Sequence, residues 1–387
     1  LGLAVRERLA STGLTSVWMS GGYDSPAIFA LGRTNRGAGQ EVLPVSMSYP
    51  VGDKGREDEL IELVARHHGA PVEWVERASI ASLPDPAVWA ARRDHAAAHP
   101  FEYWNRALMA GTRRLEARIA LSGNGGDQFF GVSGIFLGDL LRRGQWAALA
   151  RELRALGFRP QGARPLFYWA VTPNLPPFLL RLARWLRGGT ALKQHLQRSA
   201  PSWLVASPAL AADLEARQWQ FANRRPGESL ASAETAWYLQ TSLGQQMVSS
   251  VGEITLDGGV ELRSPMYDRR VLELMSRRPR EDRYSMAENK RLLRQALEGL
   301  LPADHLAPRH NRTGLPGGYL AEVLPRVLPD WLARVGGSLR LADLGLVEPR
   351  EVQQSLNRYL TNPVWESQHG VGVFDLLSAE YWLRSHA

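Results

Sequence analysis

The stretch that decides the fold is TSVWMSGGYDSPAIFA, residues 15–30. Its first five residues are β-branched, aromatic or apolar, and they predict a short buried strand. Residues 20–25 then form a turn of glycine and hydroxyl residues, and Pro26 stands where the first turn of a helix accepts proline. A helix start leaves backbone N–H groups free and carries partial positive charge, so this turn favours an anion. The pattern predicts a strand, a phosphate-binding turn and a helix.

The turn differs from the Walker loop, which has four residues between its glycines and ends in Gly-Lys-Ser/Thr. It contains no lysine and instead carries an acid, Asp24. A carboxylate beside a phosphate needs a cation between them, and Mg²⁺ is the expected one. The alternative is an ordinary glycine turn before a helix, because glycine turns are common between elements.

The composition suits a globular protein of one large domain or two: 387 residues, 44% of them hydrophobic and 22% charged. The formal charge of +7 is carried almost wholly by arginine, since the only lysines are Lys54, Lys193 and Lys290. The arginines are scattered rather than arranged in a stripe, so we expect no nucleic-acid partner. An anionic nucleotide or an acidic peptide fits this charge equally well.

The chain contains no cysteine, which excludes disulfides, cysteine–zinc sites and thiol nucleophiles within it. We see no signal peptide and no stretch apolar enough to span a membrane, and we expect a cytoplasmic location. The first residue is leucine rather than methionine, and we expect a further N-terminal portion before it.

Strands and helices alternate through the first part of the chain. Strands are predicted at residues 41–49, 72–75 and 118–122, and helices at residues 57–68, 84–98, 103–118 and 138–156. This alternation predicts an α/β fold, a parallel twisted sheet with helices on both faces. Ligands of such sheets bind at the carboxyl ends of the strands, where the glycine turn lies.

Three regions follow from this pattern. Residues 1–156 are expected to form the nucleotide-binding core, residues 157–220 a helical, aromatic insertion, and residues 221–387 a largely helical C-terminal part. Residues 178–187 could dock a partner or touch a membrane surface. A helix packed on the domain with a solvated basic face is the simpler interpretation, because an apolar face at helical spacing usually belongs to a core.

A second turn, SGNGGDQFFG at residues 122–131, repeats the order of the first: strand end, glycines, then an acid. Asp24 and Asp127 would thus reach the same sheet edge and form a paired carboxylate site for Mg²⁺ over a triphosphate. A metal there would neutralise pyrophosphate as it leaves.

The first turn resembles the pyrophosphate-binding loop SGGxDS of the ATP pyrophosphatase superfamily, whose members transfer AMP to a group and release pyrophosphate. Three further segments resemble those of asparagine synthetases, in the same order. They are residues 122–128 (family SGEGxDE), residues 260–268 (GxExRxPFxD), and residues 290–302 with 312–315 (KxxLRxAxxxxLP and KxGF). The chain is therefore identified as similar to the asparagine synthetase-like family, which includes β-lactam synthetases and lasso-peptide cyclases.

The resemblance implies an adenine nucleotide α-hydrolase-like (HUP) fold, ATP and Mg²⁺ as cofactors, and a role for each matching position. The pyrophosphate-holding positions are Ser20, Gly21, Gly22, Asp24 and Ser25. The adenine-framing positions are Trp18, Met47 and Gly123. The Mg²⁺ ligands are Asp24 and Asp127. Glu261, Arg263 and Asp268 match a charged network that we expect to be scaffold rather than catalytic.

Three departures from the family pattern carry information. Asn124 replaces a glutamate implicated in handling ammonia, near a position where β-lactam synthetases place a tyrosine, and an amide cannot accept a proton as a carboxylate can. Arg312 replaces the lysine expected to stabilise an oxyanion, and arginine keeps the charge but changes its geometry. Lys290 is the other candidate for that role, although the spacing favours Arg312. Gln128 replaces the second acid of the turn.

The resulting hypothesis is an ATP-dependent, AMP-forming amide ligase of the macrolactam (lasso-cyclase) or β-lactam type, with Asn124, Lys290 and Arg312 as catalytic candidates. One alternative is asparagine synthetase, using aspartate with ammonia or glutamine and a glutaminase domain outside the chain. Another is an inactive relative that serves as a binding subunit. The expected partners are a carboxylate (peptide or amino acid), an amine, a leader-peptide-binding or protease protein, and a second copy of the chain.

Overall fold

The computed structural model describes residues 1–53, 55–80, 85–96, 99–131, 134–156, 166–176, 178–179, 182, 201–205, 225, 227–240, 242–278, 282, 285–307, 317–363 and 368–386. Arg312 and most of residues 157–224 lie outside this part. The statements below concern the described residues.

Five parallel strands form one sheet in the order β3-β2-β1-β4-β5. They are β1 (Gly13–Trp18), β2 (Gln40–Ser48), β3 (Glu73–Glu76), β4 (Ile119–Ser122) and β5 (Glu261–Arg263). The strand order reverses around β1, which pairs with β2 on one side and β4 on the other. The fold class predicted from the sequence is confirmed, and β5 is a strand that the sequence pattern did not predict.

Side chains alternate between the two faces of the sheet, as the pleat requires. Val17 and Leu121 are fully buried on the face covered by the helix that follows the first turn. Trp18 and Ala120 lie on the other face, against Met109 of the helix before β4. The sheet is therefore covered by helices on both sides.

The helices of the first part are α1 (Gly2–Arg6), α2 (Asp24–Asn35), α3 (Asp58–His67), α4 (Pro86–Ala90), α5 (Glu102–Arg114), α6 (Gly126–Phe129), α7 (Phe136–Arg142) and α8 (Trp146–Ala155). Those of the second part are α9 (Leu230–Gln240), α10 (Ser242–Asp257), α11 (Arg269–Arg277), α12 (Arg291–Ala296), α13 (Ala303–Leu306), α14 (Gly317–Val335), α15 (Arg340–Asp343), α16 (Pro349–Thr361) and α17 (Gln368–His386). No described helix is long and apolar enough to cross a membrane.

Two cores hold these elements. The first joins α2 and α3 with the segment after β5, so that Phe29 and Met266 belong to the same buried cluster. The second consists of α14–α17 together with Trp89 and Trp203. The C-terminal part thus supplies both a separate helical core and a share of the nucleotide-domain core.

Two of the predicted helices are wrong in extent. Of the described residues in the helix predicted at 84–98, only α4 is helical. Arg93, which follows it, is buried and pairs with Glu102, their charged atoms 3.1 Å apart. The helix predicted at residues 138–156 is two helices, α7 and α8, because Gly144 adopts φ = 67°, a left-handed conformation that ends α7.

Gly111 controls how closely α5 approaches the sheet. A Cβ atom at this position would lie 2.8 Å from Val45 Cγ1 and 3.0 Å from Val75 Cγ2. We expect Gly111→Ala to lower the free energy of unfolding by about 1–3 kcal/mol through overpacking. Gly252→Ala is the matched helical control, since a Cβ there meets nothing within 4 Å, and it should raise stability by about 0.5–1 kcal/mol. Urea unfolding of both variants measures this, and equal effects would contradict the packing argument.

Candidate functional site

Three hydrogen bonds fix the shape of the first turn. The Ser20 backbone N–H donates to Ser25 Oγ at 2.9 Å. The Gly21 N–H donates to the buried carboxylate of Glu57, also at 2.9 Å. The Gly22 carbonyl accepts a hydrogen bond from His305 Nε2 at 2.9 Å. The turn therefore exists as a preformed cradle, anchored by residues from the segment before α3 and from α13.

The second turn lies directly against the first because β4 is paired with β1, with Ser122 opposite Trp18 at the ends of the two strands. A Cβ atom on Gly123 would lie 2.6 Å from the Ser25 backbone nitrogen, and one on Gly126 would lie 2.0 Å from Asp24 Cγ. Glycine at these two positions gives the Asp24 carboxyl group the room it occupies.

Lys290 joins the two acids. Its Nζ atom contacts Asp24 Oδ2 and lies 2.6 Å from Asp127 Oδ1. The Lys290 and Asp24 side chains are only 7% and 16% exposed, whereas the Asp127 side chain is 75% exposed. One buried ammonium therefore sits between an inner and an outer carboxylate.

Burial raises the pKa of Asp24 to about 6; the Lys290 ammonium opposes this shift and the Asp127 carboxylate adds to it. Burial alone would lower the pKa of Lys290, but the two carboxylates outweigh it and hold that pKa above its usual value. Lys290 is thus a stable cation at neutral pH.

The acid pair fits a magnesium ion that is shared with a phosphate ligand. Asp24 Oδ1 is buried and has no hydrogen-bond partner among the described residues. No group of three or more His, Cys, Asp or Glu side chains able to hold a metal occurs in the described part of the chain. A Mg²⁺ ion bound with a nucleotide typically has one or two carboxylates as ligands, and phosphate oxygens and water complete its coordination.

Both turns open into one cleft of about 440 Å³. From the first turn it is lined by Ser20, Asp24 and Ser25, with Trp18 just before them, and from the second by Ser122, Gly123, Asn124, Gly125, Asp127 and Gln128. The rest of the lining consists of His99 and Phe101 just before α5, Asn105 of α5, Tyr238 of α9, Val248 and Val251 of α10, and Tyr267.

His99 is a titratable residue of the cleft lining. Burial, helped by the positive charge of Arg93, lowers the pKa of His99 to about 4, so the ring is neutral. Its Nδ1 accepts the Phe101 backbone N–H at 3.1 Å. The ring hydrogen therefore resides on Nε2, which makes that atom a hydrogen-bond donor.

Of the three positions expected to frame adenine, two line the cleft and one does not. Trp18 lines the cleft, and its Nε1–H donates to Thr112 Oγ1 at 3.0 Å, which holds the indole ring in place. Gly123 also lines the cleft. Met47 is partly buried in β2 and is not among the lining residues. Asn124 faces the cleft, whereas Arg312 lies outside the described residues.

The charged network expected behind the site includes the edge strand β5. Arg263 pairs with Glu261 at 2.8 Å and donates to the Arg8 carbonyl at 2.9 Å. Arg8 in turn pairs with Asp268 at 2.8 Å. Hydrogen bonds from the side chain of Arg270, and to a lesser extent from Arg8, hold the pKa of Asp268 far below its usual range. These residues tie α1 to β5 and α11 and are absent from the cleft lining, which agrees with a scaffold role.

The asparagine synthase family model matches residues 1–384. The chain belongs to the asparagine synthase family. Members of this family are ligase-type enzymes that use ATP, and the two glycine turns of this chain lie where a parallel α/β sheet binds a nucleotide. No curated protein matches the chain.

Several residues of the site and its support were missed or given another role by the sequence interpretation. Glu57 carries a weak signal, an acid just before a helix and after a strand end, but nothing in its spacing shows that it accepts the Gly21 N–H. His99, Tyr238 and Tyr267 reach the cleft only through tertiary packing and carry no local pattern. Lys290 was expected near an oxyanion, and the structure puts it on the two carboxylates.

Two neighbouring glycines provide a test of the cradle. A Cβ on Gly21 would lie 2.6 Å from Glu57 Cβ, whereas a Cβ on Gly22 would come no closer than 3.4 Å to any atom outside its chain neighbours. We expect Gly21→Ala to lower the unfolding free energy by about 1–3 kcal/mol through this clash. Gly22→Ala should change it by less than about 0.5 kcal/mol and yet weaken ATP binding, because the added methyl group occupies phosphate space.

Thermal unfolding with and without ATP and magnesium measures both effects. A Gly22→Ala protein with unchanged stability and unchanged ATP binding would show that phosphate does not approach this turn.

Proposed function

We propose that the protein is an ATP-dependent, AMP-forming amide ligase that activates a carboxylate of a peptide and closes an amide with an amine of the same or another molecule. The observation that carries the proposal is the meeting of Asp24 and Asp127 at one cleft, at the ends of adjacent parallel strands. Two acids beside a glycine cradle are suited to a magnesium-bound triphosphate rather than to a nucleoside alone.

The proposed reaction has two steps. A carboxylate oxygen of the substrate attacks the α-phosphorus of ATP, the bond between the α-phosphorus and the bridging oxygen breaks, and pyrophosphate leaves. An amine nitrogen then attacks the acyl carbon, loses a proton, and displaces AMP as the carbon–oxygen bond breaks. The products are an amide, AMP and pyrophosphate.

This chain's residues would act mainly by binding and charge stabilisation. The backbone and hydroxyl groups of residues 20–25 would hold the leaving pyrophosphate, and Asp24 with Asp127 would hold Mg²⁺, which neutralises developing phosphate charge when bound. Arg312 remains our candidate for the tetrahedral oxyanion. Lys290, already bound to both acids, is better suited to the phosphate end of the cleft.

Two features of the cleft favour an amine of a larger substrate over ammonia. Asn124 lines the cleft where the family's ammonia-handling glutamate is expected, and it cannot act as a carboxylate base. The cleft is also lined by Phe101, Val248, Val251 and two tyrosines, apolar and aromatic groups that suit peptide side chains. We extend the proposal to a peptide macrolactam or β-lactam-type product made in the cytoplasm, with leader-binding or protease proteins and a second copy as expected partners.

Asparagine synthesis is the second candidate, favoured by the match of the asparagine synthase family model to residues 1–384. In this case aspartate would be the carboxylate and ammonia the nucleophile. A third outcome, a family member that binds but does not react, corresponds to no turnover with either substrate.

Pyrophosphate release from ATP, with products identified by mass spectrometry, tests these candidates. The substrates are aspartate with ammonium, and a peptide encoded beside the gene. We expect release with peptide, together with AMP and a product lighter than the peptide by one water. Asparagine formation would replace this proposal by the second candidate, and no release with either would contradict both.

The matched variants are Asp127→Asn and Asp343→Asn. Both side chains are exposed, but only Asp127 lies at the cleft. We expect Asp127→Asn to lower turnover by about 10²–10³-fold, the usual cost of one lost charge-stabilising group. Asp343→Asn should leave turnover unchanged, and equal rates for the two variants would exclude Asp127 from the reaction.

A further inference from the structure

Lys290 occupies the position between two carboxylates that a divalent cation would otherwise favour. Its ammonium contacts one oxygen of each acid, Asp24 Oδ2 and Asp127 Oδ1. The Lys290 side chain is 7% exposed, so water does not screen this charge effectively. In the absence of other ligands, the acid pair already has a cation bound to it.

The backbone conformation of Lys290 supports the view that this contact has a role. Lys290 has φ = 54°, and it is one of two described non-glycine residues with a positive φ. Such a conformation costs about 1 kcal/mol or more in a residue with a long side chain and persists where the surroundings enforce it. Lys290 immediately precedes α12, and in this conformation its ammonium contacts both acids.

We propose that Lys290 is an internal counter-ion that keeps the acid pair from binding a free divalent ion, so that metal enters only together with the phosphates of the nucleotide. With Lys290 in place, two negative charges and one positive charge leave a net charge of −1. This is a weak site for a free Mg²⁺ ion, which prefers several anionic oxygens. A triphosphate supplies the missing negative charge and also offers the ammonium new oxygen partners.

The two acids offer a metal different oxygens. Asp127 is 75% exposed to solvent, and among the described residues Asp24 Oδ1 has no hydrogen-bond partner while Oδ2 contacts the lysine. Lys290 is therefore a positioning residue that makes metal binding depend on nucleotide binding. The nucleotide half of this inference rests on the proposed function, whereas the free-metal half does not.

Binding of free Mn²⁺, followed by electron paramagnetic resonance without any nucleotide, tests the inference. We expect the wild-type protein to bind Mn²⁺ weakly. The neutral variants Lys290→Met and Lys290→Asn should bind it at least about tenfold more tightly, because a like charge in contact with the site has been removed. Asparagine tolerates the left-handed backbone, so the second variant guards against misfolding of the first. Lys290→Arg keeps the charge and should resemble the wild type.

The double variant Lys290→Met with Asp127→Asn tests whether the additional Mn²⁺ affinity of Lys290→Met arises at the acid pair. We expect the double variant to lose that additional affinity. Tight Mn²⁺ binding by the wild-type protein without nucleotide would overturn the inference, and so would equal or weaker binding by the neutral variants. A non-hydrolysable ATP analogue should then raise Mn²⁺ binding to the wild type above that of the analogue alone. If the analogue does not raise Mn²⁺ binding but the other results are as expected, the nucleotide site is contradicted and the counter-ion role of Lys290 is not.

Discussion

The parallel pairing of β1 with β4 is the constraint on which the rest of the structure depends. It places Ser122 beside Trp18, so two glycine turns that are about a hundred residues apart in sequence leave the sheet at the same edge. Each turn delivers one carboxylate, and neither could form a metal site alone. The burial of Asp24 then requires glycine at position 126 and a cation nearby, which are a steric and an electrostatic consequence of the same pairing.

The C-terminal part completes the site rather than merely following it. Lys290 immediately precedes α12, α10 supplies part of the cleft lining, and His305 of α13 donates a hydrogen bond to the Gly22 carbonyl. Leu293 and Leu297 share a buried cluster with Phe29 of α2. Packing of α12 on the first core therefore carries the ammonium to the acids, and the stability of the site is coupled to that of both parts of the chain.

The sequence predicted the elements whose signal is local. The strand-turn-helix at residues 15–30 and the parallel sheet follow from hydrophobic patterning and glycine turns, and their bounds agree with the structure to within one or two residues for β1, β2 and β4. The predicted lengths of the helices at 84–98 and 138–156 were wrong. The first ends at Ala90, before the buried Arg93, and the second is divided by the left-handed conformation of Gly144. The neutral state of His99 could not be predicted, because it depends on burial. The contact of Lys290 with the two acids could not be predicted either, because it joins residues more than a hundred positions apart.

Anomalous scattering from Mn²⁺ in crystals grown with a non-hydrolysable ATP analogue tests the central claim most directly. The account predicts one metal peak bound to Asp24 and Asp127 together, with the triphosphate on the backbone of residues 20–25 and the adenine beside Trp18. A nucleotide bound elsewhere, or a metal that contacts neither carboxylate, would contradict it.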